Sequence, residues 1–489
     1  MTVAIDRLLV PVTASIRDAL AMLDAAGTGF LAVVDADGRL TGVATDGDVR
    51  RALLRGAGID DPIASAMRAD CVSLPVDATD AAIHRVLGGA ISFVPLLDPD
   101  GRPVDWAGRG RHHRLPVMEP LLDGNELAYV EEAVQTGWIS SQGRFVSRFE
   151  SQFGELHDAP HALAVSNGTV ALHLALVALG IGPGDEVIVP DFTFAATASA
   201  VVHAGATPVF VDIDPATWTV DPAAVEAAVT PRTRAVLPVH LYGHPADMDA
   251  IGEIAAARGL IVIEDAAEAL GSRVRGRIVG GLGDAACFSF FGNKTITTGE
   301  GGMILFRDQA VFRRARMLRD HGMSPERRYW HLEPGFNYRM TNLQAAIGVA
   351  QLERAASIFE RKRDLAARYD RALDGVPGIE PRPVAAWADP VCWLYTVSVG
   401  AELGLSRDEL GTRLLQTGVE TRPVFHPLSA MPAFSRWAGG PPRPVTGAVS
   451  AGGLSLPSAV TMRPEDIDGI VDRIRDISEV RRLASASGS

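Results

Sequence analysis

One lysine in this sequence has surroundings that suit covalent chemistry. Lys294 follows the mostly apolar run 287–291 and lies among Gly, Ser and Thr residues, with no neighbouring charge until Glu300. Desolvation in such a turn favours the neutral amine, which can act as a nucleophile and then as an acid and base. A lone lysine after a strand is usually a solvated charge, but the glycine-rich surroundings favour a ligand site. Ser289, five residues earlier, could donate a hydrogen bond to a phosphate.

Two further motifs could complete a site for a phosphorylated ring. Gly168 and Thr169 lie at the start of a helical pattern, where free amides favour a phosphate and glycine lets the backbone approach it. The same residues also suit a plain helix cap. Asp265 follows the strand pattern 260–263, and ligands bind at the carboxyl ends of parallel strands. A carboxylate there can keep a pyridinium nitrogen protonated, or it can cap a helix.

The bulk composition excludes several other classes of function. A net charge of −13 argues against nucleic acid or an anionic membrane as a partner. The cysteines Cys71, Cys287 and Cys392 form no CxxC pair, so neither a zinc site nor a disulfide framework is expected. We expect no metal. The sequence shows no signal peptide and no apolar run long enough to span a membrane, so we expect a cytoplasmic protein.

Strand and helix patterns alternate from about residue 116, which predicts a mostly parallel sheet covered on both faces. The predicted helices are 125–135, 169–179, 223–229, 249–258 and a long helix at 342–373. The predicted strands are 186–189, 208–211, 235–238, 260–263 and 287–291, with a later strand at 393–399 in a final α/β unit. The final residues, 484–489, are low in complexity.

The first hundred residues read as a separate α/β unit with an internal repeat. A helix at 15–25, a strand at 30–34 and a helix from Asp46 are echoed by a helix at 81–86 and a strand at 91–97. A basic, turn-rich linker is predicted at 109–116.

This repeat resembles a pair of CBS domains, through Gly42, Thr45, Asp46 and Asp48. In CBS pairs such Thr and Asp residues commonly contact the ribose and phosphates of an adenine nucleotide. The second repeat has no matching Thr-Asp pair, which leaves one nucleotide site at most. A structural or dimerising appendage is the alternative.

The remaining motifs resemble the DegT-type sugar aminotransferases, which are fold-type I pyridoxal-phosphate enzymes. The resemblance covers about residues 116 to 435. It rests on the Lys294 segment and on the segments 137–143, 166–169, 190–198, 264–272 and 337–348.

The resemblance implies an α/β fold in three parts: a CBS-like pair at 1–113, a large cofactor-binding domain at 117–365 and a small C-terminal domain at 366–485. It implies that Gly168, Thr169 and Ser289 hold the phosphate, Asp265 the ring nitrogen, Phe194 the ring face and Lys294 the Schiff base. Asn337 would reach across the interface of a homodimer or higher homo-oligomer to the partner's cofactor.

Several residues narrow the expected reaction. Glu268 stands where many members have a glutamine that contacts the cofactor's hydroxyl, and with the segment 320–330 it resembles the perosamine-forming branch. Dehydratases of this fold carry a histidine at the lysine position, so Lys294 favours transamination. Ser429 replaces a histidine that is usual in the family.

The expected reaction moves an amino group, with L-glutamate as the predicted donor, to a nucleotide-linked 4-keto-6-deoxy sugar. Candidate cations for the diphosphate are Arg319, Arg327, Arg328, Arg339 and Arg422. Another keto sugar or a cyclitol ketone is an alternative substrate. A nucleotide-sensing regulatory protein is the alternative from a different class.

Overall fold

The computed structural model describes residues 5–78, 82–83, 86–87, 91–108 and 115–486, without the side chains of 479–486. The chain divides into two units, Met1–Arg114 and Leu115–Ser489. Among the described residues, no helix has both the length and the apolar character that crossing a membrane requires.

The first unit contains two small sheets of the same design. Its strands are β1 (Leu9–Pro11), β2 (Phe30–Val34), β3 (Leu40–Thr45), β4 (Leu74–Pro75), β5 (Phe93–Leu97) and β6 (Pro103–Gly108). In each sheet the first strand is parallel to the second and the second is antiparallel to the third, as an internal repeat predicts.

Two helices of this unit belong to the first repeat, α1 (Ile16–Ala26) and α2 (Asp46–Leu54). The predicted helix at 81–86 lies partly outside the described residues, and so does most of the predicted linker at 109–116.

The second unit is built on a seven-stranded sheet. Its strands are β7 (Ala162–Val165), β8 (Glu186–Pro190), β9 (Thr207–Val211), β10 (Thr233–Val236), β11 (Ile261–Asp265), β14 (Ala285–Ser289) and β15 (Gly302–Phe306). Their order is β7-β15-β14-β11-β10-β8-β9, and β15 is antiparallel to both of its neighbours while the other pairs are parallel. The predicted, mostly parallel sheet is therefore confirmed.

Alternate residues of β7 face opposite sides of this sheet, as the strand period of two requires. Ala162 and Ala164 belong to one hydrophobic cluster, whereas Leu163 and Val165 belong to another. The sheet is thus buried on both faces, which explains why its strands read as continuous apolar runs.

Helices cover both faces of the sheet and continue into a smaller C-terminal sheet. They are α3 (Glu126–Gln135), α4 (Arg144–Leu156), α5 (Gly168–Ala178), α6 (Ala196–His203), α7 (Pro222–Ala227), α8 (Met248–Arg258), α9 (Gln309–Arg319), α10 (Asn342–Leu352), α11 (Ala355–Leu373), α12 (Arg407–Gln416), α13 (Pro444–Gly452) and α14 (Pro464–Ala486).

The short strands β12 (Arg273–Val274), β13 (Arg277–Ile278) and β17 (Ala388–Asp389) form one further sheet. The strands β16 (Ile379–Pro381), β18 (Tyr395–Val399), β20 (Gly453–Leu456) and β19 (Arg422–Pro423) form another, which is antiparallel throughout.

The prediction of a single helix over 342–373 is wrong. The chain forms α10 and α11, with Glu353 and Arg354 between them. Glu353 pairs with Arg148 at 2.6 Å, and Arg354 pairs with Asp123. The two residues between the helices thus pair with distant segments of the chain. The hydrophobic spacing of the sequence does not predict these contacts.

Candidate active site

Lys294 lies in the turn that follows β14, at the carboxyl edge of the main sheet. Its Nζ is 3.6 Å from Oε1 of Glu268 and 3.8 Å from the centroid of the Trp393 ring. β14 pairs in parallel with β11, and Asp265 is the last residue of β11. The structure therefore brings Lys294, Asp265 and Glu268 to the place where ligands bind in open α/β sheets.

Burial brings the pKa values of Lys294 and Glu268 closer together. Burial lowers the pKa of Lys294, although Glu268 and Asp265 oppose the shift. Burial also raises the pKa of Glu268 to about 7, against the attraction of Lys294. Because the amine binds its proton less tightly than usual and the carboxylate more tightly, burial lowers the cost of proton transfer between them.

Two hydrogen bonds hold the buried Asp265 carboxylate. Its Oδ2 accepts a hydrogen bond from the Thr197 hydroxyl at 2.8 Å, and its Oδ1 accepts one from the Ala267 N–H at 3.2 Å. Burial raises the pKa of Asp265, whereas the Thr197 hydroxyl acts in the opposite direction. Thr197 belongs to the predicted motif 190–198, but the sequence alone does not mark it as a partner of Asp265.

Gly168 starts helix α5 at a point where three backbone segments meet. A Cβ on Gly168 would lie 2.8 Å from Cβ of Ser289, and one on Gly302 would lie 2.5 Å from the carbonyl oxygen of Asn167. Asn167 caps the helix by accepting from the Val170 N–H at 3.0 Å. The close approach leaves helix N–H groups and the Ser289 hydroxyl at one place, which suits a phosphate group. Thr169 is exposed at the same turn.

A chain of aromatic rings extends from Lys294 to Phe194. Trp393 stacks on Tyr242 with centroids 5.9 Å apart, Tyr242 stacks on Phe425 at 5.2 Å, and Phe425 is 5.9 Å from Phe194. The Phe194 side chain remains 58% exposed, so its ring face is available to a ligand.

Tyr242 also connects these rings to Glu268. Its N–H donates to Oε2 of Glu268 at 2.9 Å, and its backbone has a φ of +49°, which non-glycine residues rarely adopt. Neither Tyr242 nor Trp393 could be predicted as a site residue from the sequence. No local pattern marks either one, because their contacts come from segments far apart in the chain.

Two of the predicted cations and Asn337 have described contacts outside the cluster around Lys294. Arg319 pairs with Glu150 at 2.7 Å and also donates to a backbone carbonyl, which favours a structural role. Arg339 donates to Oδ1 of Asn337 at 3.1 Å, and Asn337 is exposed. No contact that the structure describes joins these side chains to the cluster around Lys294.

Two other candidate cations lie at the surface. Arg327 stacks over the Trp330 ring at 4.3 Å, and Arg422 is exposed. Neither has a described contact with the cluster around Lys294.

Ser429 has a structural partner in the motif 190–198. Its N–H and its hydroxyl both donate to the buried Asp191 carboxylate at 2.7 Å, and Arg443 donates to the same carboxylate at 2.9 Å. Ser429 therefore fixes the segment that carries Phe425.

In the first unit, the residues of the CBS resemblance form a helix cap. The Thr45 hydroxyl donates to Asp48 at 2.6 Å, and the Asp48 N–H donates back to Thr45 at 3.1 Å. Asp48 also pairs with Arg51. A Cβ on Gly42 would lie 2.6 Å from the carbonyl oxygen of Arg68, so this glycine allows a close backbone contact. Asp46 is exposed.

Known protein families match both units of the chain. A model of the CBS domain matches residues 4–55, and the model of the DegT/DnrJ/EryC1/StrS aminotransferase family matches residues 120–475. A GDP-perosamine synthase of Caulobacter vibrioides is 50% identical over 73% of this chain and 96% of its own length. One from Escherichia coli O157:H7 is 43% identical over 74% and 98%.

Solved structures are similar over the same region. The S. venezuelae DesV structure is 39% identical, covers 73% of this chain and 94% of DesV, and has a TM-score of 0.68. The aminotransferase TlmJ from Streptoalloteichus hindustanus is 33% identical over 76% of this chain and 100% of TlmJ, with a TM-score of 0.70. The match of the family model to most of the chain shows that the protein belongs to the DegT/DnrJ/EryC1/StrS aminotransferase family.

Proposed function

We propose that this protein transfers an amino group from an amino acid, L-glutamate in our proposal, to a nucleotide-linked 4-keto-6-deoxy sugar, with pyridoxal phosphate as cofactor. The observation that carries the proposal is the buried contact between Lys294 and Glu268, beside Asp265 at the carboxyl edge of the sheet. Relatives named GDP-perosamine synthase favour a GDP-linked sugar.

The residues around Lys294 fit this cofactor. Gly168, Thr169 and Ser289 would hold its phosphate, since a side chain at 168 would fill the space beside Ser289. Asp265 is buried with a raised pKa, and a protonated ring nitrogen opposite it would stabilise its charged form. Phe194 would cover the ring. Asn337 would act on the cofactor of a second copy of the chain.

Pyridoxal phosphate, when it is bound, supplies an electron sink for the carbon that gains or loses a proton. Lys294 would hold the cofactor and would carry that proton on Nζ. Glu268 takes or returns a proton at Oε1, because its pKa of about 7 lies near neutrality. Tyr242 keeps Glu268 in position through its N–H.

Within this proposal, residues 117–365 form the cofactor-binding domain and residues 366–485 the small domain. Arg327, Arg328, Arg339 and Arg422 remain candidates for the substrate diphosphate. Arg319 and Arg339 are the weaker candidates, since Glu150 and Asp320 already pair with them. The active unit is proposed to be a homodimer.

Chemical trapping tests the proposal directly. Borohydride reduction of the wild-type protein should fix the cofactor on Lys294, as read by peptide mass spectrometry. The sequence contains one other lysine, the fully buried Lys362, which serves as an internal control. Label on Lys362 alone, or turnover in Lys294→Ala, would contradict the role of Lys294.

A substrate panel tests the substrate class. GDP-, UDP- and dTDP-linked 4-keto-6-deoxy sugars should be compared with a cyclitol ketone, each with L-glutamate as donor. Turnover of the GDP-linked sugar at the highest kcat/KM supports the proposal. Preference for the cyclitol ketone would contradict it.

The first unit is proposed to be a scaffold that the chemistry does not require. Its candidate nucleotide contacts, Thr45 and Asp48, bind each other in the helix cap. Calorimetry with AMP, ADP and ATP should show no binding, and a chain starting near Pro116 should keep its activity. Tight nucleotide binding that changes the rate would instead support a sensor.

A further inference from the structure

The two lysines of this chain converge on one tryptophan. The sequence contains only Lys294 and Lys362, and both side chains are inside the protein. Lys294 contacts the ring of Trp393, whereas Lys362 donates to its backbone carbonyl at 2.8 Å. The proposed chemistry uses Lys294, but nothing in it uses Lys362 or Trp393.

Trp393 controls the Lys294 turn through two separate contacts. Its ring face lies 3.8 Å from Nζ of Lys294, close enough for the ring to attract an ammonium group. Its indole N–H donates to the backbone carbonyl of Asn293 at 2.6 Å. One buried side chain thus fixes both the backbone before Lys294 and the amine itself.

Lys362 in turn holds Trp393 in place. Its Nζ donates to the carbonyls of Trp393 and Ser458, and the Ser458 hydroxyl accepts from the Tyr395 N–H at 2.8 Å. No carboxylate pairs with Lys362 among the contacts described. A buried ammonium without a carboxylate partner is costly, so Lys362 requires the carbonyl oxygens that it binds.

We propose that Trp393 is a positioning residue, whose ring holds the protonated amine of Lys294 between proton transfers, and that Lys362 anchors Trp393 for this purpose. The inference rests on the proposed role of Lys294 and adds a third determinant of its proton affinity besides Glu268 and Asp265. Tyr242 and Arg382 act on Glu268 from the neighbouring elements.

An isosteric change of the ring separates attraction from packing. Fluorine withdraws electron density from an aromatic face, so trifluorotryptophan at position 393 weakens the attraction while it keeps nearly the same shape and the N–H. Trp437, whose ring faces Arg436 at 4.2 Å, offers a matched control site for the same replacement.

The readout is the protonation of Lys294 in the cofactor-free protein. Competitive acetylation across a pH series, followed by mass spectrometry, reports the two lysine amines on separate peptides. With trifluorotryptophan at 393, the midpoint for Lys294 should move to lower pH. Because the ring then attracts the ammonium form less, the neutral fraction of the Lys294 amine at neutral pH should rise about fivefold. The replacement at 437 should leave the midpoint unchanged.

Two substitutions complete the test. Trp393→Phe keeps an aromatic face but loses the N–H contact with Asn293, so it should also move the midpoint to lower pH. Lys362→Met should shift the midpoint in the same direction through looser anchoring of Trp393. Equal midpoints for wild type and trifluorotryptophan at 393 would overturn the role of Trp393. A wild-type midpoint in Lys362→Met would overturn the role of Lys362. Failure of borohydride trapping would instead overturn the proposed function, so the two failures are distinguishable.

Discussion

A methyl group at position 302 should weaken cofactor binding without any change to a residue that is proposed to touch the cofactor. Gly302 lies in strand β15, opposite Ser289, and a Cβ there would lie 2.5 Å from the carbonyl oxygen of Asn167 and 3.1 Å from the N of Gly168. Both contacts are backbone atoms, so no flexible side chain can give way. The turn that starts helix α5 must move.

The size of the effect follows from this overlap. Ordinary contacts of a Cβ begin at 3.4 Å, so the peptide must shift by about 0.9 Å (3.4 minus 2.5). Overpacking of this kind costs about 1–3 kcal/mol. The free protein can relax the turn, but binding of the phosphate requires its original position. The cost therefore falls on binding, and Gly302→Ala should raise the Kd for pyridoxal phosphate about 5- to 150-fold.

The assay is titration of cofactor-free protein with pyridoxal phosphate, followed by fluorescence quenching, beside thermal unfolding without cofactor. Gly252→Ala in helix α8 is the matched control, since no atom lies within 4 Å of the added methyl. The control should keep the wild-type Kd and gain about 0.5–1 kcal/mol of stability. A wild-type Kd in Gly302→Ala would mean that the phosphate does not bind at this turn.

Three further outcomes are expected. Ser429→Ala removes one hydrogen bond to the buried Asp191 carboxylate and should lower the free energy of unfolding by about 1–2 kcal/mol in denaturant titration. An unchanged free energy of unfolding would mean that other contacts hold the segment around Ser429. Burial lowers the pKa of Lys362 from 10.5 to about 8, so between these values the unfolded chain binds the additional proton. Wild-type stability should therefore rise over this pH range relative to Lys362→Met, by at most about 3 kcal/mol, and parallel pH curves would contradict the shift. Finally, inactive Lys294→Ala and Asn337→Ala proteins should regain partial activity when mixed, and no recovery after proven subunit exchange would contradict a shared site.

The main sheet could be predicted from the sequence because its strands are buried on both faces. Continuous apolar runs mark such strands, and the predicted strand 208–211 differs from β9 only at its first residue. The predicted strand 287–291 begins and ends two residues after β14, which is Ala285–Ser289. The phenylalanines after Ser289 continue the apolar run beyond the strand.

The convergence of Lys294, Asp265 and Glu268 could also be anticipated, because the carboxyl ends of neighbouring parallel strands meet at one edge. The contacts that shift the pKa values of these residues could not be predicted from the sequence. Trp393 lies 99 residues after Lys294 in the numbering, and its approach depends on how the C-terminal segment packs. Tyr242 has a positive φ, which no residue pattern around it predicts. The roles of Asn337 and the surface arginines stay predictions, since they involve a second chain or a ligand.

The first unit shows how one sequence motif can serve two purposes. Thr45 and Asp48 have the residue types that could contact a nucleotide, yet these same types also form a capping box at the start of a helix. In this chain they satisfy each other, and Arg51 neutralises the Asp48 carboxylate. Burial acts to raise the pKa of Asp48, but the Thr45 and Arg51 contacts together outweigh it and lower the pKa, so the carboxylate stays charged. A nucleotide phosphate at this turn would face that carboxylate and would have to displace its partners. The motif therefore stabilises helix α2 directly. Ligand binding at this turn would require these contacts to rearrange, and the second repeat has no matching Thr-Asp pair that could contribute to the site.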